Sequence, residues 1–351
     1  ISSLGNNCKI QSILMKTFET IPPAYSQGDI AKIAKQFFKI TGEIKSLVSE
    51  RDQNAYLKSA DGDFVLKIAN SAEDKSFLEF QNAVLNHIAL LDPTLAIPAV
   101  IKGKEGAEIF NFDGHNIRLI TYLKGVIFNG TDKSAALYED LGHFMGRFSM
   151  AMQGFGHVKA HNPKFLWNLD NASYSKRYCA DIKDQKDKKL IEYYFDRYEQ
   201  KIAPRLTKMR SAVIHGDAND YNLVASGDQI SGLIDFGDMV FAKQINELAI
   251  VLGYAILDVD DLFTVASTII NAYTDIFPLY EDELEVLFDL AAMRLCMSVC
   301  ISSNRAVKAN SEKHKEYLLI TQKPALRALR RLKEINLSFL AYRKFFFVKL
   351  V

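Results

Sequence analysis

The residues best placed to do chemistry lie in one stretch, Val213-Ile214-His215-Gly216-Asp217-Ala218-Asn219-Asp220-Tyr221-Asn222-Leu223-Val224. Thirteen residues past Asn222 comes Asp235, in Leu233-Ile234-Asp235-Phe236-Gly237-Asp238. Each Asp or Asn ends or follows a short apolar run of strand length, so polar side chains are expected at the rim of a buried β element. Phosphoryl transfer asks little covalent chemistry of a protein. It asks for a carboxylate that takes or orients the proton of the acceptor hydroxyl, and for hard oxygen ligands to Mg2+ on the nucleotide. An Asp, an Asn five residues on and an Asp after the next strand supply those parts in that order. Taken singly, a His-x-Asp is an ordinary loop pair; the spaced Asn and the Asp-Phe-Gly give it weight. A hydrolytic His-Asp dyad is the competing chemistry, and no Gly-x-Ser-x-Gly elbow or Cys partner accompanies His215.

Two groups of elements must position these residues. Residues 1–27 carry a Pro22-Pro23 turn and little periodicity, and read as an extension. A small α+β unit is expected over 28–121. It starts with a short helix from Gly28 to Phe38, followed by strand-length runs at 44–49, 55–59 and 64–69. Asp61-Gly62-Asp63 marks a hairpin between the second and third runs. A helix opened by Ser71 or Asp74 then carries the stripe Phe77, Gln81, Val84, Ile88 and Leu91. Strands around 97–102 and 117–123, separated by Asp113-Gly114, complete the unit. From 122 to 338 the pattern predicts helices near 137–152, 190–209, 244–257, 265–274, 282–302 and 323–335. They are interrupted by a loop-rich insert with strand-like runs at 212–214 and 232–234. The end, 339–351, is aromatic and basic and carries no motif.

Composition excludes several function classes. The 351 residues hold 43 Lys and Arg against 42 Asp and Glu, a net charge of +1, so no nucleic-acid or anionic-membrane surface is expected. With 48% apolar residues the chain can bury one or two substantial cores. Cys8, Cys179, Cys296 and Cys300 form no C-x-x-C, and buried reduced thiols in a cytoplasmic protein are the expectation. The longest uncharged apolar run, Leu248 to Leu257, is too short for a membrane span. The first residue is Ile and the last Val, which leaves open a longer, fused polypeptide.

His215-Gly216-Asp217 through Asn222, followed by Asp235-Phe236-Gly237, resembles the paired catalytic motifs of the aminoglycoside-phosphotransferase-like and choline-kinase-like small-molecule kinases. With Ser49-Glu50-Arg51-Asp52-Gln53-Asn54 and Ile234 to Met239, the likeness is closest to the hydroxylysine kinase branch, and it extends over most of residues 28–335. The resemblance implies an α+β, protein-kinase-like fold of two lobes sharing one site. The N-lobe, 28–121, would be a small antiparallel sheet with one main helix; the C-lobe, 122–338, would be larger and mostly helical. Asp217 would be the catalytic base, Asn222 and Asp235 the Mg2+ ligands, and His215 a brace of the loop. Glu247, at the start of an apolar helix, would anchor the catalytic loop.

Phe64-Val65-Leu66-Lys67-Ile68 places one Lys in an otherwise apolar strand, and by resemblance Lys67 would hold the α and β phosphates. Gln81 stands where the superfamily more often has Glu; its carbonyl oxygen can bond the Lys67 ammonium but adds no charge. Ser49 and Asn54 would donate to phosphate from the loop between the first two strands, and Arg51 would meet phosphate electrostatically. Backbone groups of Thr121 and Leu123 would face the base of ATP or GTP. For the acceptor, Asp220, Tyr221, Trp167 and Asp238 are candidates, with Arg294 as a bidentate partner for an amino-acid carboxylate. The expected activity is transfer of the γ-phosphoryl of ATP or GTP to a hydroxyl of a small amine-bearing acceptor, 5-hydroxylysine first. Homoserine, choline or ethanolamine, and an aminoglycoside are the alternatives, as is a non-catalytic nucleotide-binding pseudokinase.

Overall fold

Capping and strand alternation build the first of two compact units, which divide between Lys124 and Gly125. The computed structural model describes residues 21–49, 51–309 and 311–335; Cys8, the segment 1–20 and the tail 339–351 lie outside them. Helix α1 (Gln27–Ile33) is N-capped by Ser26 and continues as a π-turn to Phe38. Strands β1 (Gly42–Leu47), β2 (Gln53–Ser59) and β3 (Gly62–Ile68) then form an antiparallel meander. Asp74 accepts the Ser76 N–H at 3.0 Å and caps helix α2 (Lys75–Leu91). The sheet is completed by β4 (Val100–Ile101), β5 (Phe110–Phe112) and β6 (His115–Thr121), in the order β1-β2-β3-β6-β4 with β5 also on β6. The Asp113-Gly114 turn therefore joins β5 to β6 rather than two long strands. A three-residue strand is too short for alternation to reveal it.

Period two divides the sheet residues between its faces. Ala55, Leu57, Phe64, Leu66, Ile68, Ile117 and Leu119 pack with Ile30 and Ile33 of α1. A fully buried Leu or Ile contributes about 1.5–3 kcal/mol. On the opposite face Asn54, Lys67 and Arg118 form one cross-strand row, Asn54 opposite Lys67 and Lys67 opposite Arg118. The Asp63 carbonyl accepts the Tyr122 N–H at 2.9 Å, and its carboxylate pairs with Lys124 at 2.9 Å. These bonds carry the unit three residues past the expected end at 121.

The second unit is helical around short strands. It contains β7 (Val126–Ile127), α3 (Ala135–Ala151), a 3-10 stretch over Leu169–Asp181 and α4 (Gln185–Arg197). A π-turn leads from α4 into α5 (Ala203–Leu206). Next come β8 (Ser211–Ile214), β9 (Leu223–Ser226), β10 (Gln229–Leu233) and β11 (Val240–Lys243). Helices α6 (Ile245–Ala255), α7 (Leu262–Ile276), α8 (Glu281–Val307), α9 (Glu312–Leu318) and α10 (Gln322–Glu334) follow. Helix α3 lies so close to α7 that a Cβ at Gly142 would sit 2.4 Å from the Ile269 carbonyl.

The insert holds two ladders, β10-β9-β7 and β11-β8, where the sequence pattern predicts only two strand-like runs. Strands β9 and β11 are four residues each and abut the polar motif, which hides their alternation. The 3-10 stretch has no counterpart among the expected helices because its i, i+3 repeat lacks the 3.6 period. Cys179, Cys296 and Cys300 are buried free thiols, with Cys179 Sγ 3.6 Å from Cys300 Sγ. Among the described residues no helix is long and apolar enough to cross a membrane.

Candidate active site

The two ladders deliver the polar motif. Strand β8 ends one residue before His215, Asn222 immediately precedes β9, and Asp235 follows β10 after one residue. The Ile234 N–H donates to the Asn222 carbonyl at 2.9 Å, which ties the two ends together. Asn222 Nδ2 donates to both the carbonyl (2.8 Å) and Oδ2 (2.9 Å) of Asp217. Asn219 Nδ2 donates to Asp217 Oδ1 at 2.9 Å, while its Oδ1 accepts the Tyr221 and Asn222 N–H groups. Asp235 is exposed and lies in the left-handed region, φ 62° and ψ 73°, a conformation that a β-carbon disfavours. Gly216 has φ +77°, and a Cβ there would stand 2.7 Å from the Asp238 carbonyl, so a residue with a side chain could not take this backbone position without strain.

His215 is fully buried. Its Nε2–H donates to the Ile234 carbonyl at 3.1 Å and its Nδ1 accepts the Asp217 N–H at 3.3 Å, which defines one neutral tautomer. Its ring meets Phe236 edge-on at 4.9 Å. Burial pushes the imidazole down to about 4, so it is neutral at pH 7. Glu247, in the first turn of α6 and also fully buried, accepts the His215 N–H on Oε2 at 2.5 Å. Burial raises its carboxyl to about 7, against the lowering by the His215 and Gly216 N–H groups. Burial likewise raises Asp217, opposed by Arg294 and reinforced by repulsion from Asp238.

These buried groups have opposite linkage to pH. Between about pH 4 and 6.5 the unfolded chain protonates His215 and the folded chain does not, so stability rises with pH there. Between 4.5 and about 7 the folded chain keeps a proton on Glu247 that the unfolded chain has lost, so stability falls with pH. Glu247→Gln abolishes the second contribution only. Raising the pH from 4.5 to 7 should therefore weaken the wild type by about 3 kcal/mol relative to Glu247→Gln. Urea titrations of both chains at the two pH values measure this; parallel stabilities would contradict it.

In the first unit, Lys67 and Asn54 share the sheet face described above, and Asn54 Oδ1 is buried without a hydrogen-bond partner. Ser49 Oγ accepts the Asp52 N–H at 3.3 Å, and Asp52 Oδ1 accepts the Asn70 N–H at 3.0 Å. Asn70 Nδ2 donates to the Arg51 carbonyl at 3.2 Å, which fastens the loop to the segment before α2. Gln81 Oε1 accepts from Arg118 Nη2, a partner the sequence does not suggest. Arg118 Nη1 also donates to Asn82 Oδ1 at 3.0 Å. Arg118 is not among the residues expected from the sequence, although an Arg inside an apolar strand is a usable signal. The Thr121 N–H is spent on the Ala99 carbonyl at 2.9 Å and its Oγ1 on the Ala99 N–H at 2.8 Å. Leu123 lies two residues past β6.

The acceptor candidates do not all gather. Asp220 is buried, and its Oδ2 accepts from Asn129 Nδ2 at 2.5 Å. Tyr221 is exposed. Trp167 is half-buried against Phe165, Ile214, Val240 and Ala242, and Asp238 is half-buried. Arg294 is not an open clamp for a substrate carboxylate. Its Nη1 donates to the Trp167 carbonyl at 3.1 Å and its Nη2 to Asp217 Oδ1 at 2.5 Å.

A family model described as the phosphotransferase enzyme family matches residues 43–287. Hydroxylysine kinase of Danio rerio is 27% identical over 332 residues, covering 90% of this chain and 93% of that protein. Homoserine kinase of Bradyrhizobium diazoefficiens is 26% identical over 254 residues, covering 70% of this chain and 75% of that protein. Among solved structures, the microcompartment-associated aminopropanol kinase aligns with a TM-score of 0.68 at 13% identity, over 90% of this chain and 98% of that one. At that identity the likeness is one of fold.

Proposed function

The chain belongs to the phosphotransferase enzyme family, and from that premise we propose that it transfers the γ-phosphoryl of ATP or GTP, with Mg2+, to a hydroxyl of a small amine-bearing acceptor, with 5-hydroxylysine first. The observation that carries this reading is the convergence of Asp217 and Asn222, with Asp235 on the adjoining strand end. Asp217 takes the hydroxyl proton as the acceptor oxygen bonds the γ-phosphorus and the nucleoside diphosphate leaves. Asn222 commits Nδ2 to Asp217, which leaves Oδ1 as a hard donor, and Asp235 adds an exposed carboxylate. Among the described residues no group of three or more His, Cys, Asp or Glu side chains could hold a metal ion. Two protein oxygens fit Mg2+ carried on a nucleotide, which keeps water and phosphate ligands, better than a dedicated cage. When bound, the cation neutralises charge developing on the phosphate oxygens.

Lys67 holds phosphate in this reading, with Ser49, Arg51 and Asn54 beside it, and backbone groups near Leu123 meet the base. His215 and Glu247 brace the catalytic loop. Asp238 adds a carboxylate beside Asp217, which suits an acceptor that carries an ammonium. The hydroxylysine kinase relatives favour 5-hydroxylysine, and the homoserine kinase relatives make homoserine the second reading. The buried unpaired thiols suit the reducing cytoplasm.

Thermal shift with MgATP and MgGTP, each with and without EDTA, tests nucleotide and metal. Turnover on 5-hydroxylysine, homoserine, ethanolamine and an aminoglycoside tests the acceptor. The expected result is Mg2+-dependent stabilisation and the highest kcat/KM on 5-hydroxylysine. Stabilisation with no turnover on any acceptor would move the protein to the pseudokinase class.

A further inference from the structure

Arg294 lies mid-way along α8 at 1% exposure and heads the largest fully buried side chains. Its guanidinium carbon sits 4.7 Å from the Trp167 ring centre and 5.8 Å from that of Tyr254, and one nitrogen is held by the Trp167 carbonyl. A planar fork fixed on these sides presents Nη2 in one direction, to Asp217 Oδ1 at 2.5 Å. The arrangement is poor as a stabilising device. Burying two charges costs much of what their attraction returns, and Arg294 Nε is buried without a hydrogen-bond partner.

Its consequence is an asymmetry between the two oxygens of Asp217. Oδ1 accepts from both Arg294 Nη2 and Asn219 Nδ2, which uses its two lone pairs. Oδ2 accepts one side-chain bond, from Asn222 Nδ2, and keeps a lone pair. We propose that Arg294 is a positioning residue: it pins Oδ1 of Asp217 and so assigns Oδ2 to the acceptor hydroxyl. The inference rests on Asp217 being the base. As the acceptor oxygen bonds the γ-phosphorus and the bond to the β-phosphate oxygen breaks, the hydroxyl proton passes to Oδ2 and later to water, while Oδ1 keeps both donors. A loose phosphoryl-transfer transition state asks more of the carboxylate's orientation than of its basicity.

The test uses the full chain with Arg294→Met, Arg294→Lys, Asp217→Asn and the Asp217→Asn/Arg294→Met double variant. Steady-state turnover is read with MgATP and 5-hydroxylysine, together with phosphate release from MgATP alone, and Tm is read for each chain. Arg294→Met should lower kcat about 10²-fold, the scale of a misplaced catalytic group, with the nucleotide KM nearly unchanged. Arg294→Lys, which keeps the charge, should recover part of that loss. The double variant should melt above Arg294→Met, because it no longer leaves a carboxylate buried without its partner. A folded Arg294→Met chain with wild-type kcat overturns the inference alone. A loss that only tracks the unfolded fraction, with no recovery by Lys, overturns it too. A wild-type chain that, with MgATP or MgGTP, moves no phosphoryl group to 5-hydroxylysine, homoserine, ethanolamine, an aminoglycoside or water removes the base reading of Asp217, and this inference with it.

Discussion

Asp217→Asn should cut turnover by roughly 10²–10⁴-fold, the span expected for removing a general base, while the nucleotide KM stays within a few-fold of wild type. The substitution keeps the shape of the side chain. Its amide oxygen can still accept from Arg294 Nη2 and Asn219 Nδ2, the two donors that now meet Oδ1. The new NH2 group then faces Asn222 Nδ2, which at present donates to Oδ2 at 2.9 Å. Two donors face each other, and the atom assigned to take the hydroxyl proton is gone. Turnover is measured well below both melting temperatures, so that it reports the folded chain. Wild-type turnover in a folded Asp217→Asn protein would remove Asp217 from the chemistry.

Asp235→Gly should separate stability from activity. Asp235 holds φ 62° at the end of β10, where a side chain costs on the order of 1–3 kcal/mol and glycine little. Glycine also makes the unfolded chain more flexible, which takes back about 0.4–1 kcal/mol, so the folded chain should be as stable as the wild type or more stable by up to about 2 kcal/mol. The same substitution deletes one of the two oxygens proposed to hold the cation. Loss of several kcal/mol of charge stabilisation corresponds to a fall in turnover of about 10²-fold or more. The Mg2+-dependent part of the nucleotide thermal shift should vanish with it. Asp235→Ala should lose turnover equally and melt lower, because alanine keeps the β-carbon in the left-handed region. An Asp235→Gly chain that turns over normally with Mg2+ would remove Asp235 from the metal site.

Much of the framework is legible in the amino-acid pattern. The alternation of Phe64 to Ile68 is local, and the strand forms over Gly62–Ile68 with Lys67 off the core face. The long helices between 135 and 334 are plain in the pattern because their apolar stripes run over several turns. Short elements are not: β4 and β7 are two residues each, and β9 and β11 carry the motif residues at their edges.

The spacing of Asp217, Asn222 and Asp235 is a property of the chain, because the strand ends that flank these residues are set locally. Their partners come from far along the chain. Arg294 reaches Asp217 across 77 residues of sequence, and Arg118 takes Gln81 across 37. No periodicity states which way a helix is rotated about its axis or how far it slides along a neighbour, and a turn of one residue, about 100°, would send either guanidinium elsewhere. Local chain chemistry therefore settles which groups are available for phosphoryl transfer and in what order. Which cation each polar group meets is settled by packing alone, of α8 against the loop from His215 to Asn222 and of α2 against β6.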